Sequence, residues 1–490
     1  MERFSFLYRQ PQVRMMLLSA VMFSGLSWLR AMAAGTMLVD GHAIEGPLLW
    51  LTFSGFLAAV GAYCFSLFRL WQMDAVTIKE VRITAYTLIA IFSLMLPMLS
   101  NDLFSLLAYG DAANRGVDVY TDVASLGLSP FFQNVGPLWR HAPCVYGPVC
   151  LTTSRIAALL ANGNLELAVS AYKVLAVLWA IVFVEFTIRI GSITGIGRSA
   201  LILILLNPLL MIQGIGQLHC DAIAVALTAG MIYFALSERW YLAYVFAGLA
   251  IAAKVSYVLM LPFMFVLLLV RRVNWIQFLT RQVVGVAVTA VVLALLYFPY
   301  FTSVKTITTP FQFLTAQNPA KSIAEIVGDI VYFAPGVIGS NNSEMHSNML
   351  TPSGISQSQL DAWLLVKKIC QVFALVMMIL VFARFWIHER TQESWFRTFL
   401  RLLLLFLLFY SHVFYPWYLL FILPLLWYES DVKFIQWLLV MSCLAIIQDT
   451  ISFTHHETIP YYIILILTFI STMSFFWRFR TVYFRSVSRQ

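Results

Sequence analysis

The residues best suited to chemistry lie in one polar, turn-rich passage, residues 101–149, between long runs of apolar sequence. A carboxylate in such a passage can take a proton from a hydroxyl group, and a cation beside it can stabilise a developing negative charge. Polar connections between membrane segments are also where a membrane protein would carry its functional residues. The passage contains four aspartates, two arginines, a histidine and four aromatic side chains with a polar atom: Asp102, Asp111, Asp118, Asp122, Arg115, Arg140, His141, Tyr109, Tyr120, Trp139 and Tyr146.

Asp102 is the best candidate for a catalytic base in this passage. Residues 101–114 fit an amphipathic helix in which Asp102, Ser105 and Tyr109 share one arc. Gly116 follows at a position that suits the end of a helix. Asp102 would then begin this helix at the membrane edge. The alternative is that Asp102 only caps the helix.

Three further polar spots interrupt the apolar sequence. His219 and Asp221 follow a helix break, Lys254 stands alone between two short apolar runs, and His412 and Trp417 flank a proline-made break. An ionisable residue at membrane depth costs at least about 2.5 kcal/mol, so each needs a partner or a function. Plainer interpretations stay open: Lys254 could extend to the interface, His219 could bond the start of a helix, and Trp417 could anchor an aromatic belt.

Composition indicates the fold class. Of 490 residues, 61% are hydrophobic and 11% are charged, whereas a soluble domain carries about 25% charged residues. Apolar runs of roughly 15 to 25 residues recur along the chain and are typical of membrane helices. We therefore expect an all-α, polytopic transmembrane helix bundle. Residues 1–490 would form a single integral-membrane domain of about fourteen spans.

The basic residues predict how this bundle is oriented. They recur in alternate turns, and the positive-inside rule places those turns and both termini in the cytoplasm. Residues 99–165 then form an extracytoplasmic catalytic loop, with residues 148–161 as a short interfacial helix. Residues 299–361 form a second long loop on the same side. We expect a multi-pass protein of the plasma membrane with its active site on the extracytoplasmic face.

The six cysteines show no metal-binding or redox spacing. Cys144 and Cys150 share the catalytic loop and could pair in an oxidising compartment. Buried free thiols are the favoured interpretation.

An ordered series of short motifs resembles one family of membrane enzymes. In chain order these motifs are Asn-Asp-x-x-Ser-x-x-Ala-Tyr-Gly, Gly-Val-Asp-Val-Tyr, Leu-Trp-Arg, Tyr-Gly-Pro, His-Cys-Asp-Ala, Ala-Ala-Lys-Val and Tyr-Pro-Trp-Tyr-Leu-Leu. Over residues 94–425 their order and spacing look like the polyprenol-phosphate-mannose-dependent α-1,6-mannosyltransferases of actinobacteria, integral-membrane glycosyltransferases of the GT-C class. One departure is Cys220, since the family usually has asparagine between the histidine and the aspartate of that motif.

The resemblance implies a GT-C type bundle with amphipathic juxtamembrane helices in its extracytoplasmic loops. It implies a hexosyltransferase that moves a sugar, mannose in this family, from a polyprenyl-phosphate donor to a glycan or glycolipid of the cell envelope. The displacement would convert a β-linked donor into an α-linked product, with Asp102 as general base. Cationic side chains would bind the donor phosphate: Lys254, Arg140, His141 and His412. Six others would bind the acceptor or the sugar: Tyr109, Asp111, Tyr146, His219, Asp221 and Trp417.

The expected partners are the lipid-linked donor, the acceptor and membrane lipids, because no basic run indicates a nucleic acid. Such a donor carries its own leaving group, and the sequence holds no P-loop or GxGxxG motif for a nucleotide. We predict no metal site, although a divalent cation stays open as a cofactor.

Two other functions stay open. A lipid or solute transporter or flippase also combines many spans with intramembrane charges, but no inverted repeat is visible in the sequence. A related enzyme could use another polyprenyl-linked sugar, such as glucose or arabinose.

Overall fold

A computed structural model describes residues 10–34, 47–73, 76–122, 124–136, 139–195, 198–271, 274–316, 327, 357–411 and 413–452. These residues form helices joined by short connections, which confirms the predicted all-α class. Parts of two predictions lie outside this set. They are most of the second predicted extracytoplasmic loop, residues 317–326 and 328–356, and residues 458–477, an apolar run that would form the last of the fourteen expected spans.

Fifteen α-helices are described in these ranges. They are α1 (Pro11–Ala34), α2 (Pro47–Trp71), α3 (Ile78–Ser93), α4 (Asp102–Asn114), α5 (Pro148–Ala161), α6 (Leu165–Thr194), α7 (Arg198–Leu205), α8 (Asp221–Leu236), α9 (Trp240–Ala253), α10 (Met260–Val270), α11 (Trp275–Tyr297), α12 (Lys305–Ala316), α13 (Gln357–His388), α14 (Gln392–Leu405) and α15 (Val432–Ser452). Shorter helices of other types join them, among them π-helices at Leu210–Gly216 and Phe406–Tyr410 and 3-10 helices at Val255–Leu259 and Pro416–Tyr428.

Five of the described helices are long and apolar enough to cross a membrane. They include segments of α1, α2, α6, α11 and α13. A sixth is formed if α7 and the following π-helix count as one span bent by 41°. Six shorter apolar helices accompany them, so the chain is polytopic, and the expected count of about fourteen spans stays a prediction.

Burial separates a lipid-facing layer from an inner core. Helix α11 exposes large apolar side chains such as Val283 and Leu295, whereas nearly every residue of α8 is buried. Short apolar helices such as α8 and α9 are tolerable in a membrane where protein surrounds them. Asp221 is the first residue of α8, and Lys254 directly follows α9.

The helix that begins with Asp102 differs from its prediction. It spans Asp102–Asn114 as expected, but the residues from Asp102 to Gly110 are all buried, so the helix is not amphipathic. Helix α5 packs closely against it, and a Cβ on Gly110 would lie 2.5 Å from the carbonyl carbon of Ser154. This close approach removes the polar face that the sequence pattern predicts.

The connection into this helix, residues 94–101, is not helical and is buried from Met95 to Ser100, so its backbone polar groups need partners. Side chains from α1 and α6 supply several of them. Trp28 donates to the Leu94 carbonyl (2.8 Å), Arg30 donates to the Met98 carbonyl (2.7 Å), and Lys173 donates to the Ser93 carbonyl (3.0 Å) and to the Met95 carbonyl. These bonds fix the path of the chain immediately before Asp102.

The helix break expected before His219 and Asp221 lies between α7 and α8. Helix α7 ends at Leu205, just before the Asn207-Pro208 pair. Gly214 and Gly216 lie in the π-helix Leu210–Gly216. The chain turns after the end of this π-helix, at Leu218, and α8 begins with Asp221.

Candidate active site

Asp102 lies at the start of α4 with two polar partners. The Tyr146 hydroxyl donates to its Oδ2 over 3.1 Å, and the Nδ1 of His219 lies 3.4 Å from the same oxygen. Burial opposes ionisation of this carboxyl, but His219, Tyr146 and the nearby positive charge of Lys254 hold its pKa below the ordinary value. Asp102 is therefore ionised at neutral pH, which is the form that can accept a proton.

The turn that carries Tyr146 is docked on the end of helix α9. The Gly147 amide donates to the Ala253 carbonyl over 3.1 Å, and a Cβ at Gly147 would lie only 2.1 Å from the Ala252 carbonyl oxygen. Only glycine fits this approach. The Tyr120 hydroxyl donates to the Tyr146 carbonyl over 3.0 Å and fixes the turn from its other side.

Lys254 follows directly, in the extended connection between α9 and the 3-10 helix Val255–Leu259. Its Nζ donates to both carboxylate oxygens of Asp221, at 2.8 and 2.9 Å, and lies 4.4 Å from the centre of the Tyr418 ring. The sequence shows Lys254 as an isolated cation that needs a partner or a function. The structure provides a partner within the protein, Asp221, and the expected phosphate-binding role stays a prediction.

Aromatic side chains enclose the same region. The His219 imidazole stacks on the Trp417 ring at 3.9 Å, and Trp417 stacks on Tyr415 at 4.7 Å. Trp417 lies in the 3-10 helix Pro416–Tyr428, just after the proline-made break. The stack fixes the plane of the imidazole while its Nδ1 faces Asp102.

One short stretch, residues 219–221, therefore serves both polar pairs. His219 supports Asp102, and Asp221, two residues later, binds Lys254. The exposed fraction of the side chain is 11% for Asp102 and 11% for Lys254, against 1% for His219 and 5% for Asp221. Asp102 and Lys254 are thus the more exposed members of the cluster, and their partners are almost fully buried.

The remaining predicted side chains are placed differently. The Tyr109 hydroxyl donates to the Ala142 carbonyl over 2.8 Å, and Asp111 pairs with Arg115, four residues later in the chain, at 2.8 Å. These contacts lie within residues 99–165 and do not involve Asp102 or Lys254.

Arg140 is also held within its own loop. Its guanidinium donates to the carbonyls of Val135 (3.0 Å) and Gln133 (2.9 Å). The neighbouring His141 is exposed. No contact described for these two residues joins them to the Asp102–Lys254 cluster, so the structure does not bring them to it. His412 lies outside the described residues.

Two observations concern metals and thiols. Among the described residues, no group of three or more His, Cys, Asp or Glu could hold a metal ion. Cys144 and Cys150 are buried free thiols, as the sequence predicts, and the Cys150 Sγ lies 3.8 Å from the Cys220 carbonyl oxygen.

Known proteins match this chain over the region that builds the cluster. The profile of a family described as alpha-(1->6)-mannopyranosyltransferase, N-terminal domain, matches residues 14–271, more than half of the chain. The profile of glycosyltransferase family 87 matches residues 145–411. The two matches overlap across the Tyr146 turn, His219, Asp221 and Lys254.

Individual relatives agree with these profiles. Alpha-(1->6)-mannopyranosyltransferase A of Corynebacterium glutamicum is 28% identical over 236 residues, which are 46% of this chain and 48% of that protein. Its namesake from Mycobacterium tuberculosis is 25% identical over 240 residues, 49% of this chain and 44% of that protein. Alpha-(1->6)-mannopyranosyltransferase B of C. glutamicum is 27% identical over 158 residues, 30% of this chain and 25% of that protein. The chain thus spans about half the length of these relatives or less. The extent of the profile matches establishes that this chain belongs to the alpha-(1->6)-mannopyranosyltransferase family, within glycosyltransferase family 87.

Proposed function

We propose that this protein is a mannosyltransferase that moves mannose from a polyprenyl-phosphate donor to a hydroxyl group of a glycan or glycolipid. The observation that carries the proposal is a carboxylate, Asp102, and an ammonium, Lys254, which are the more exposed members of one cluster. Each is backed by a deeper partner from residues 219–221. A base and a phosphate-binding cation are the two groups that this reaction requires.

In this proposal Asp102 is the general base. Its carboxylate takes the proton from the acceptor hydroxyl while the acceptor oxygen bonds to the anomeric carbon of the donor sugar. The bond between that carbon and the phosphate oxygen breaks, and its electron pair leaves with the polyprenyl phosphate. A single base on one face suffices for such an inverting displacement, which converts a β-linked donor into an α-linked product.

Lys254 is the cation that binds the departing phosphate. An ammonium has three donor hydrogens, and the two bonds to Asp221 leave a third for a phosphate oxygen. Asp221 acts as a counter-ion that keeps Lys254 charged and oriented between substrates. The donor's new negative charge would develop next to a cation that is already in place.

The apolar fold and the sequence support a lipid-linked donor over a soluble nucleotide sugar. The cluster lies among helices whose outer faces are apolar, so an isoprenoid chain can lie against the protein while its phosphate reaches Lys254. The sequence contains no nucleotide-phosphate motif.

We infer that this site opens on the extracytoplasmic face of the plasma membrane, on the basis of the basic residues in alternate turns. Cys144 is fully buried, so labelling of native thiols does not report on the side of this loop. The variant His141→Cys places a thiol at an exposed position of the same loop. An impermeant thiol reagent should label it in intact cells, and labelling only after permeabilisation would overturn the orientation.

The direct test of function compares two labelled donors with purified protein in lipid vesicles. Polyprenyl-phosphate mannose should transfer label to an envelope glycan or glycolipid, and GDP-mannose should not. The Asp102→Asn variant is the inactive control, and Asp111→Asn, in the same helix but paired with Arg115, is the matched active control. Movement of the donor across the vesicle membrane without transfer would support a flippase instead. Transfer of a different sugar from its polyprenyl-phosphate donor, without transfer of mannose, would support the same type of reaction with a different donor sugar.

A further inference from the structure

Gln217 lies two residues before His219 and contacts the segment that leads to Asp102. Its Oε1 accepts from the backbone amides of Met98 (2.8 Å) and Leu99 (2.6 Å), in the connection that leads to Asp102. The side chain is completely buried. Its Nε2 has only a weak contact, 3.8 Å from the sulfur of Met95. The amide oxygen is thus the part of Gln217 that matters for this connection.

The backbone around Gln217 is fixed in an uncommon conformation. Leu218, the next residue, has φ +62°, a left-handed conformation that a branched side chain rarely adopts. The Gln217 amide donates to the Ile212 carbonyl (2.8 Å), and the His219 amide donates to the Gln213 carbonyl (3.2 Å). These bonds hold the turn on the end of the π-helix, with Gln217 and His219 on either side of Leu218.

The same turn therefore contacts the Asp102 region at two points. Gln217 binds the chain at Met98 and Leu99, three to four residues before Asp102, and His219 faces the Asp102 carboxylate itself. A strained backbone residue persists when the surrounding structure holds it, and such residues cluster at functional sites. The left-handed Leu218 directs the two neighbouring side chains toward one segment.

We propose that Gln217 is a positioning residue, which places Asp102 against His219 and Tyr146 by fixing the backbone of the approaching segment. It does not touch the reacting atoms. This inference rests on the proposed function for its catalytic consequence, since it concerns the geometry of the proposed base. A displacement of about 1 Å at such a group can reduce turnover by roughly 10²-fold.

Two substitutions separate this role from general packing. Gln217→Met keeps the size and burial of the side chain and removes the acceptor oxygen. Gln217→Glu replaces the amide nitrogen by a second oxygen and retains an oxygen that can accept from both amides. In this completely buried position its neutral carboxylic acid is the favoured form. Gln282, on helix α11, is a matched control, because this buried glutamine accepts from the Tyr244 hydroxyl of helix α9 (2.6 Å) and its described contacts do not involve residues 94–102.

The first measurement is hydrogen–deuterium exchange of the peptide that covers residues 94–102, in the full-length protein. The Met98 and Leu99 amides should exchange slowly in the parent and in Gln282→Met, and quickly in Gln217→Met. Gln217→Glu should restore the protection. This readout needs no enzyme activity, so it remains decisive if the parent transfers no mannose and the proposed function fails.

The second measurement is steady-state transfer from polyprenyl-phosphate mannose. Gln217→Met should lower kcat by about ten- to a hundredfold at a nearly unchanged KM for the donor, and Gln217→Glu should recover most of the loss. The Gln282→Met variant should keep the parent's kcat. Unchanged amide protection in Gln217→Met would overturn the inference, as would lost protection in an active variant with normal kcat.

Discussion

The protein places two buried aspartates within one small region and gives them different surroundings. Asp102 meets a tyrosine hydroxyl and an imidazole, and 11% of its side chain is exposed. Asp221 gives both of its oxygens to the Lys254 ammonium and lies deeper. A carboxylate that is saturated by a cation is a poor proton acceptor, whereas one that is oriented but still accessible is suited to that task. The partners, and not the residue type, decide which aspartate can act as a base.

The largest expected effect is on stability, at Asp221. The substitution Asp221→Asn leaves the buried ammonium of Lys254 without its counter-ion, and breaking such a pair costs about 3–5 kcal/mol. We expect a clear drop in the thermal unfolding midpoint of the purified protein. Adding Lys254→Met should restore most of it, because the double variant buries no charge at this position. A double variant as unstable as Asp221→Asn would show that the pair is not the source of the loss.

The next effect is on turnover, at Asp102. The substitution Asp102→Asn preserves shape and removes the proton acceptor, so turnover should fall by about 10²-fold or more. Donor binding and the unfolding midpoint should stay near those of the parent. Asp111→Asn serves as the control in the same helix. Near-normal turnover of Asp102→Asn would remove Asp102 from the role of base.

A smaller effect concerns the pH dependence of turnover. The Tyr146 hydroxyl helps to hold the pKa of Asp102 below its ordinary value, so Tyr146→Phe should raise that pKa. The base is active only above its pKa, and the acid limb of the pH–rate profile should therefore move to higher pH. Tyr109→Phe removes a hydroxyl that donates to a backbone carbonyl, and its profile should match that of the parent. An acid limb in Tyr146→Phe at the parent's pH would separate this tyrosine from the titration of the base.

Some features of the fold and of the candidate site can be predicted from the sequence alone. The all-helical class follows from composition, and the helix break at Asn207-Pro208 follows from local backbone rules. Asp102 is nominated correctly as the start of a helix in a polar passage. These features depend on neighbours in the chain, so a single sequence contains the information.

The partners of Lys254 and Asp102 depend on distant contacts instead. Asp221 is separated from Lys254 by 33 positions, and Gln217 is separated from Met98 by 119. No local pattern indicates such pairs, and so the sequence predicts Lys254 as an isolated cation and omits Gln217. The Gly147 contact with Ala252 is equally non-local. A glycine just before proline signals a turn but not the helix end against which it docks.

In the proposed reaction Asp102 accepts the proton and Lys254 binds the donor phosphate. One donor-binding measurement tests this assignment of roles most directly. Polyprenyl-phosphate mannose would be titrated onto the parent, onto Asp102→Asn and onto the charge-free double variant Asp221→Asn/Lys254→Met. Asp102→Asn should bind the donor about as tightly as the parent. The double variant should bind about ten- to a hundredfold more weakly, because one charge-assisted contact is worth roughly 1.5–3 kcal/mol. Parent-like affinity in the folded double variant, or weakened affinity in Asp102→Asn alone, would contradict the account.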